Sequence, residues 1–378
     1  RSSDLKRTLG TAWGKVCCAG RSCRSPQALD LRCQWERYLC ASVGPRYGLR
    51  MSYESENELP AGTSLKRLKE VVELLGYLSV KDGFKIPERV GCYFWHDPSE
   101  YKSWTGVELD IYYDEGALKL STRTRVSRSY WDLTHQNKTI KMVRDIFGGT
   151  FVTDEGTSRY LRPGHPPPSP LSSGCYLARW KFHNALMKAR WYLSCRKLEG
   201  DAARDAPSPL FFLDEMNPRL LSNNLLVPFI IAVWEEYYRA TFTAVLRYAD
   251  KREVVLKKAR LSHAQLEQIA AEKQIERAIA ECFSFQRPSV IGENFKMIDT
   301  RLDLVGAMRK PHRRRKVTLS DSIESLVEAR NAFVHAGDMD MFLFDKDLQT
   351  IMSDIVVAVD RSYEAIGSHF GFTTIHDY

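Results

Sequence analysis

Six consecutive residues near the C-terminal end of the chain, Arg330-Asn331-Ala332-Phe333-Val334-His335, combine the side chains needed for phosphodiester chemistry. Arg330 is a permanent planar cation that matches phosphate oxygens, Asn331 offers an amide, and His335 carries an imidazole that exchanges protons near neutral pH. Together they can hold a phosphodiester and move protons without a metal ion. The pattern therefore predicts RNA cleavage with Arg330, Asn331 and His335 as catalytic residues, and with no metal and no cofactor.

The residues around this motif have the pattern of one helix. Thr318 and Asp321 have the spacing of a capping box, and Gly337 is a typical stop signal. Between them, apolar residues recur at helical spacing: Ile323, Leu326, Val327, Phe333 and Val334. The motif is therefore expected on the last turns of this helix.

Arg330 occupies an unusual position on the predicted helix. At about 100° per residue it falls near the middle of the apolar stripe, whereas Asn331, His335, Glu324 and Glu328 lie together along one flank. Burying an unpaired guanidinium costs several kcal/mol, so Arg330 must meet a carboxylate, lie at a subunit interface, or face a cleft that admits a polyanion. The first possibility would make it a structural residue paired with Glu235 or Glu236 of a long preceding helix, with His335 as a mere cap.

The motif and its setting resemble the R-x4-6-H motif of the HEPN superfamily. Here an arginine, a polar residue, three further residues and a histidine lie on the third long helix of an all-helical C-terminal region, and the resemblance covers residues 206–378. It implies a bundle of four or five helices that pairs with a second copy, so that two motifs line one cleft. Many members of the superfamily are metal-independent endoribonucleases of toxin and phage-defence systems.

The same resemblance implies roles for the three motif residues. Arg330 would stabilise the pentacoordinate phosphate, Asn331 would orient it, and His335 would exchange protons with the 2'-OH or the leaving 5'-oxygen. The expected products are a 2',3'-cyclic phosphate and a 5'-OH. The alternative is a non-catalytic module that forms a homodimer and recruits a protein or RNA partner, as some relatives of this fold do.

A basic stretch directly precedes the motif helix in the sequence. It contains six cations in eight residues: Arg309, Lys310, Arg313, Arg314, Arg315 and Lys316. We expect these side chains to bind RNA phosphates near the catalytic groups, with an affinity that falls steeply with salt. The alternative is a loop whose charges are merely solvated.

The overall charge does not by itself argue for nucleic-acid binding. The chain of 378 residues has a formal net charge of +8, but residues 1–50 hold 10 Lys and Arg against 3 Asp and Glu, leaving 45 against 44 for the remainder. An RNA surface must therefore be a local patch.

Residues 1–50 differ from the rest of the chain. They contain five of the nine cysteines, without zinc-site spacing and without helical or strand periodicity. We interpret them as a disordered or non-native extension. No hydrophobic run suits a signal peptide or a membrane span, so we expect a cytoplasmic protein without membrane contact.

Residues 62–163 are expected to form an α+β domain of sensor or regulatory role. A helix from Leu65 to Leu78 precedes strands at Gly91–His96, Val107–Tyr113 and Leu118–Val126. A helix at Thr134–Phe147 then leads to a small hairpin of Phe151-Val152 with Arg159–Leu161.

Residues 164–205 are interpreted as a proline-rich linker with a bracing helix over Tyr176–Leu198. Residues 206–378 then show only helical periodicity. The predicted fold class is an α+β N-terminal domain followed by an all-α, HEPN-like helical bundle.

Overall fold

The structure is a computed structural model that describes residues 52–81, 86–114, 116–125, 127–198, 204–210, 212–249, 252–272 and 275–375. The chain divides into two compact units. The first comprises the described residues up to Asp97 together with Thr105–His165, and the second comprises Pro98–Trp104 and the chain from Pro166 onwards. The interpretation of residues 1–50 lies outside the described residues. Among those described, no helix is long and apolar enough to cross a membrane.

The first unit is an antiparallel sheet with two helices. Its strand order is β2-β3-β4-β5-β1-β6-β7. The elements are β1 Ser52–Glu58, α1 Leu65–Leu74, β2 Leu78–Ser79, β3 Arg89–Trp95, β4 Val107–Asp114, β5 Ala117–Arg125, α2 Tyr130–Phe147, β6 Thr150–Thr153 and β7 Gly156–Thr157. Alternate residues of β4 and β5 are buried with Leu68 and Val72 of α1 and Val143 of α2, which gives the sheet one apolar face.

Two details of this unit correct the sequence-based expectation. Strand β1 was missed because its inward positions are polar: Ser55 and Asn57 are buried, and Ser55 Oγ lies 2.5 Å from Thr122 Oγ1. Strand β6 pairs with β7 rather than with Arg159–Leu161. Leu161 instead exchanges two hydrogen bonds with the amide of Asn137, at 2.7 and 3.0 Å.

The described residues of the second unit form helices joined by loops, without a strand. Its helices are α3 Pro170–Leu198, α4 Phe212–Glu215, α5 Pro218–Arg247, α6 Arg252–Lys258, α7 His263–Glu272, α8 Ile275–Glu281, α9 Pro288–Ile298, α10 Leu304–Arg309, α11 Leu319–Ala336 and α12 Asp345–Phe370. Aromatic rings at the centre of α5 pack edge-to-face with one another and with Phe295 of α9. The predicted order, an α+β region followed by a helical region, is confirmed.

The helix predicted as a brace is part of the second unit's own core. Phe182, Leu186 and Leu193 of α3 are all buried in the helical core. Residues Pro98–Trp104 also belong to this unit, and the Trp104 ring stacks on Tyr176 with 4.0 Å between ring centroids. Tyr101, in the same segment, packs closely against α3 at Gly174, where a Cβ atom would lie 2.8 Å from the Tyr101 ring. The helical unit therefore includes residues well before 206.

Candidate functional site

The motif helix α11 has the boundaries that its capping residues predict. Thr318 Oγ1 accepts a hydrogen bond from the Asp321 backbone N–H at 3.2 Å, which begins the helix. Gly337 ends it in the left-handed conformation, with φ of 79°. Arg330, Asn331 and His335 therefore occupy its last two turns.

Arg330 has no acidic partner among the described residues. Its Nη1 donates to Asn331 Oδ1 at 2.9 Å, and its Nε is buried without a hydrogen-bond partner. The side chain is half-buried, while Val334, one turn further along the same side, is exposed. The guanidinium thus lies where the apolar stripe leaves the core, with donors available for an anion.

Glu235 is not the partner of Arg330. It accepts hydrogen bonds from Arg239 Nη2 and from Gln286 Nε2. Glu236 is held by Arg277, whose Nη1 donates at 2.8 Å. Both carboxylates of α5 are therefore neutralised by other residues, and the structural pairing considered for Arg330 is wrong.

His335 is exposed and shares a flank of α11 with Asn331, because residues four apart are neighbours on a helix surface. Arg330 and His335 are five positions apart, which places their directions about 140° apart around the axis. One copy of the helix therefore does not aim both side chains at one point. A reaction in which both side chains act on one phosphate must overcome this difference in direction.

A carboxylate on the same flank anchors α11 to α9. Glu324 Oε1 accepts hydrogen bonds from the Ser289 backbone N–H at 2.9 Å and from Ser289 Oγ at 2.7 Å. Its other oxygen meets Arg287 Nη1 at 3.1 Å. Glu324 thereby caps the start of α9 from a different helix. The sequence places Glu324 on this flank but carries no signal for a partner 35 residues away.

The loop that follows the motif is held by Asn224 of α5. Asn224 Nδ2 donates to the Asp340 carbonyl at 3.0 Å, and the Asp340 N–H donates to Asn224 Oδ1 at 2.8 Å. A small pocket lies between this contact and the side of α11 that carries Ala329 and Phe333. Sequence reasoning missed Asn224, because an asparagine inside a long helix has no distinctive pattern.

The basic stretch forms a loop pinned to α12. Arg315 makes a two-pronged pair with Asp354, and Arg313 Nη2 donates to Ser353 Oγ at 2.8 Å. Arg361 of α12 donates to the backbone carbonyls of Lys310 and Pro311, at 2.7 and 2.9 Å. Two of the six predicted RNA-binding cations therefore hold the loop in place.

The other four cations of the loop are exposed, and no ion pair engages them within the described part of the chain: Arg309, Lys310, Arg314 and Lys316. His312 lies among them with its ring mostly covered, and burial lowers its pKa despite the nearby Asp354 carboxylate. This histidine is thus neutral at neutral pH. The positive charge of the loop comes from the arginines and lysines.

The loop and the motif lie at opposite ends of α11. With a rise of 1.5 Å per residue, Thr318 is about 18 Å along the axis from Arg330 and about 26 Å from His335. The expectation that the basic stretch lies near the catalytic groups is therefore wrong within one copy of the chain. The basic stretch directly precedes α11 in the sequence, but most of the length of α11 separates it from the motif.

No group of three or more histidine, cysteine, aspartate or glutamate side chains suited to a metal ion occurs within the described ranges. Comparison with protein-family models, with curated proteins and with solved structures gives no match. The case for a function therefore depends on the residues of the motif and their geometry.

Proposed function

We propose that this protein is a metal-independent endoribonuclease of the HEPN type, which cleaves RNA by attack of a 2'-OH on the adjacent phosphate. A role as a toxin or phage-defence effector in the cytoplasm belongs to the same proposal, with the first unit as its sensor or regulator. The observation that carries it is the state of Arg330. This arginine projects from the apolar side of a helix, meets no acid among the described residues, and keeps a buried Nε without a partner.

The chemistry follows from the side chains. His335, as a base, removes the proton from the 2'-OH, whose oxygen attacks the phosphorus atom. The bond from phosphorus to the 5'-oxygen breaks, and this leaving oxygen takes a proton from protonated His335, which returns to its basic form. Arg330 stabilises the charge that builds on the phosphate oxygens in the transition state, and Asn331 holds the guanidinium through its Oδ1.

A homodimer completes the site in this proposal. Within one helix, Arg330 and His335 point about 140° apart. When two copies bring their motif helices together, the motif side chains of both copies line one cleft. An exposed apolar stripe on α5 supports such pairing: Leu221, Leu225 and Phe229 follow at four-residue spacing and are 45%, 57% and 37% exposed. Val334 and Phe342, on the motif helix and the loop after it, are also exposed.

The test compares RNA integrity after expression of the wild type, Arg330→Ala and His335→Ala. We expect the wild type to degrade RNA and arrest growth, and each variant to lose at least about 100-fold in cleavage rate, as when one transition-state donor is removed. Purified protein should keep its activity in a chelator and leave 2',3'-cyclic phosphate ends. Lys188→Ala, an exposed cation of α3, is the matched control and should cleave like the wild type.

The alternative is a non-catalytic module that dimerises and recruits a partner, and the apolar stripe of α5 also favours it. If the wild type and both motif variants leave RNA intact and are equally harmless, this alternative replaces the nuclease. Cleavage that the chelator abolishes would contradict the proposed mechanism.

A further inference from the structure

We propose that the loop of residues 309–316 is a distal phosphate anchor, so that the substrate is a single strand long enough to reach from this loop to the motif. The inference rests on the proposed function for the identity of the second site. It assigns RNA contact to Arg309, Lys310, Arg314 and Lys316 alone. Arg313 and Arg315 are positioning residues that hold the loop.

The loop has a net positive charge that the fold does not cancel. Residues 304–320 contain no aspartate or glutamate. The acid that the loop meets on α12, Asp354, is itself buried and already engaged by Arg315. The charge of the four remaining cations is therefore directed to solvent, where a polyanion releases counterions on binding.

The loop is also fixed in shape before any ligand arrives. Arg313 and Arg314 both adopt left-handed backbone conformations, with φ of 50° and 55°. Such a backbone is unfavourable for arginine and persists because the surrounding contacts impose it. Those contacts are the pair between Arg315 and Asp354 and the two hydrogen bonds that Arg361 donates to loop carbonyls. A loop held in this way loses little conformational entropy when it binds.

The separation of the two sites sets the length of the strand. From the start of α11 to the motif is about 18 to 26 Å along the helix. A strand with the charge spacing of a stacked nucleic acid, about 3.4 Å per phosphate, covers this distance in roughly five to eight nucleotides. A strand of that length occupies both sites at once, so its affinity exceeds that for either site alone. A tetranucleotide occupies one site at a time.

The experiment measures binding of labelled 4-mer and 12-mer RNAs that carry 2'-O-methyl groups and so cannot be cleaved. The wild type should bind the 12-mer at least about 10-fold more tightly than the 4-mer. Replacing the four loop cations with alanine should remove this difference and lower the slope of log K against log salt by roughly 3, as for four phosphate contacts. The matched control, alanine at Lys188, Lys257, Lys258 and Arg260, changes the net charge equally and should retain the difference.

The outcomes separate this inference from the proposed function. Loss of the length dependence in the loop variant alone supports the anchor, even if the wild type cleaves no RNA and the nuclease proposal fails. The anchor is overturned if both sets of four alanines have the same effect, or if the loop variant keeps the preference for the 12-mer. It is also overturned if vesicles of anionic phospholipid bind the loop more tightly than the 12-mer does.

Discussion

The helical unit holds its half-buried and buried arginines in two different ways. At the start of α12, the Asp345 carboxylate is 1% exposed and accepts from both Arg196 and Arg219. Among the described residues, Arg330 on α11 donates only to the amide oxygen of the next residue. Arg315, on the basic loop, is exposed but is also paired with a buried acid, since both oxygens of Asp354 accept from it.

This difference indicates which arginine the fold needs for itself. A guanidinium that serves packing is neutralised by a buried acid, because an unpaired buried charge costs several kcal/mol. Arg330 has no such partner among the described residues, and the two acids of α5, Glu235 and Glu236, bind other cations. In the proposed site, an external anion takes the place of the buried acid.

The largest effect is expected from breaking the paired arrangement. Asp345→Ala removes the buried carboxylate that pairs with both Arg196 and Arg219, whereas Asp205, which also pairs with Arg219, is more exposed. Removing one partner of a buried pair typically costs about 3 to 5 kcal/mol. Urea denaturation should show this loss in the free energy of unfolding. Asp345→Asn, which keeps the side-chain shape and one acceptor oxygen, should lose less. Equal stability of Asp345→Ala and wild type would contradict the assignment.

A buried histidine of the first unit extends the comparison to pH. The His135 ring stacks on Trp95 with 3.7 Å between ring centroids, and its Nε2 has no hydrogen-bond partner in the described part of the chain. Burial lowers its pKa from 6.5 to about 4. The unfolded chain takes up a proton below pH 6.5, while the folded chain does so only near pH 4. Stability should therefore fall as the pH drops from about 6.5 to about 4, by roughly 3 kcal/mol in total.

The control is the His135→Phe variant, whose free energy of unfolding is measured over the same pH range. Phenylalanine keeps the stacked ring and cannot titrate, so this decline should shrink by most of its size. A decline that is unchanged in the variant would mean that other groups cause it.

A smaller effect is expected at the anchor of the motif helix. Glu324→Ala removes the acceptor of the Ser289 N–H and the partner of Arg287. Loss of a helix cap costs about 1 kcal/mol, and the half-exposed ion pair adds less than that. We expect a drop of about 1 to 2 kcal/mol in urea denaturation. Asp321→Ala, which affects the cap of α11 itself, gives a matched comparison within one helix.

Glu324 also shows the limit of what the sequence could predict. Local signals were sufficient for α11, because Thr318, Asp321 and Gly337 determine both ends through contacts within a few residues. The order of an α+β region and a helical region followed from periodicity for the same reason. The partners of Glu324 and Asn224 lie 35 to 116 residues away, and periodicity carries no information about such pairs.

Two other errors have the same physical origin. Strand β1 was missed because its inward residues are the polar Ser55 and Asn57, so the strand lacks hydrophobic alternation. Their partners, Thr122 and the Ile140 carbonyl, lie far away in the sequence. The basic loop was placed near the motif because sequence distance was read as spatial distance. The two ends of α11, a helix of 18 residues, lie about 27 Å apart. The basic loop at one end is therefore distant from the motif at the other end.

The smallest change in the free energy of unfolding is expected for substitution of Arg330. This result gives the strongest contrast with substitution of Asp345. Arg330→Ala removes a guanidinium that pairs with no acid among the described residues, so the hydrogen bond to Asn331 and some side-chain packing are lost there. We expect the free energy of unfolding to change by less than about 1 kcal/mol in urea, against several for Asp345→Ala. Arg330→Lys should be equally stable and should still lack cleavage, because an ammonium does not reproduce the planar fork of donors. A loss of 3 kcal/mol or more in Arg330→Ala would instead mean that the fold depends on this arginine, and the case for an external anion would fail.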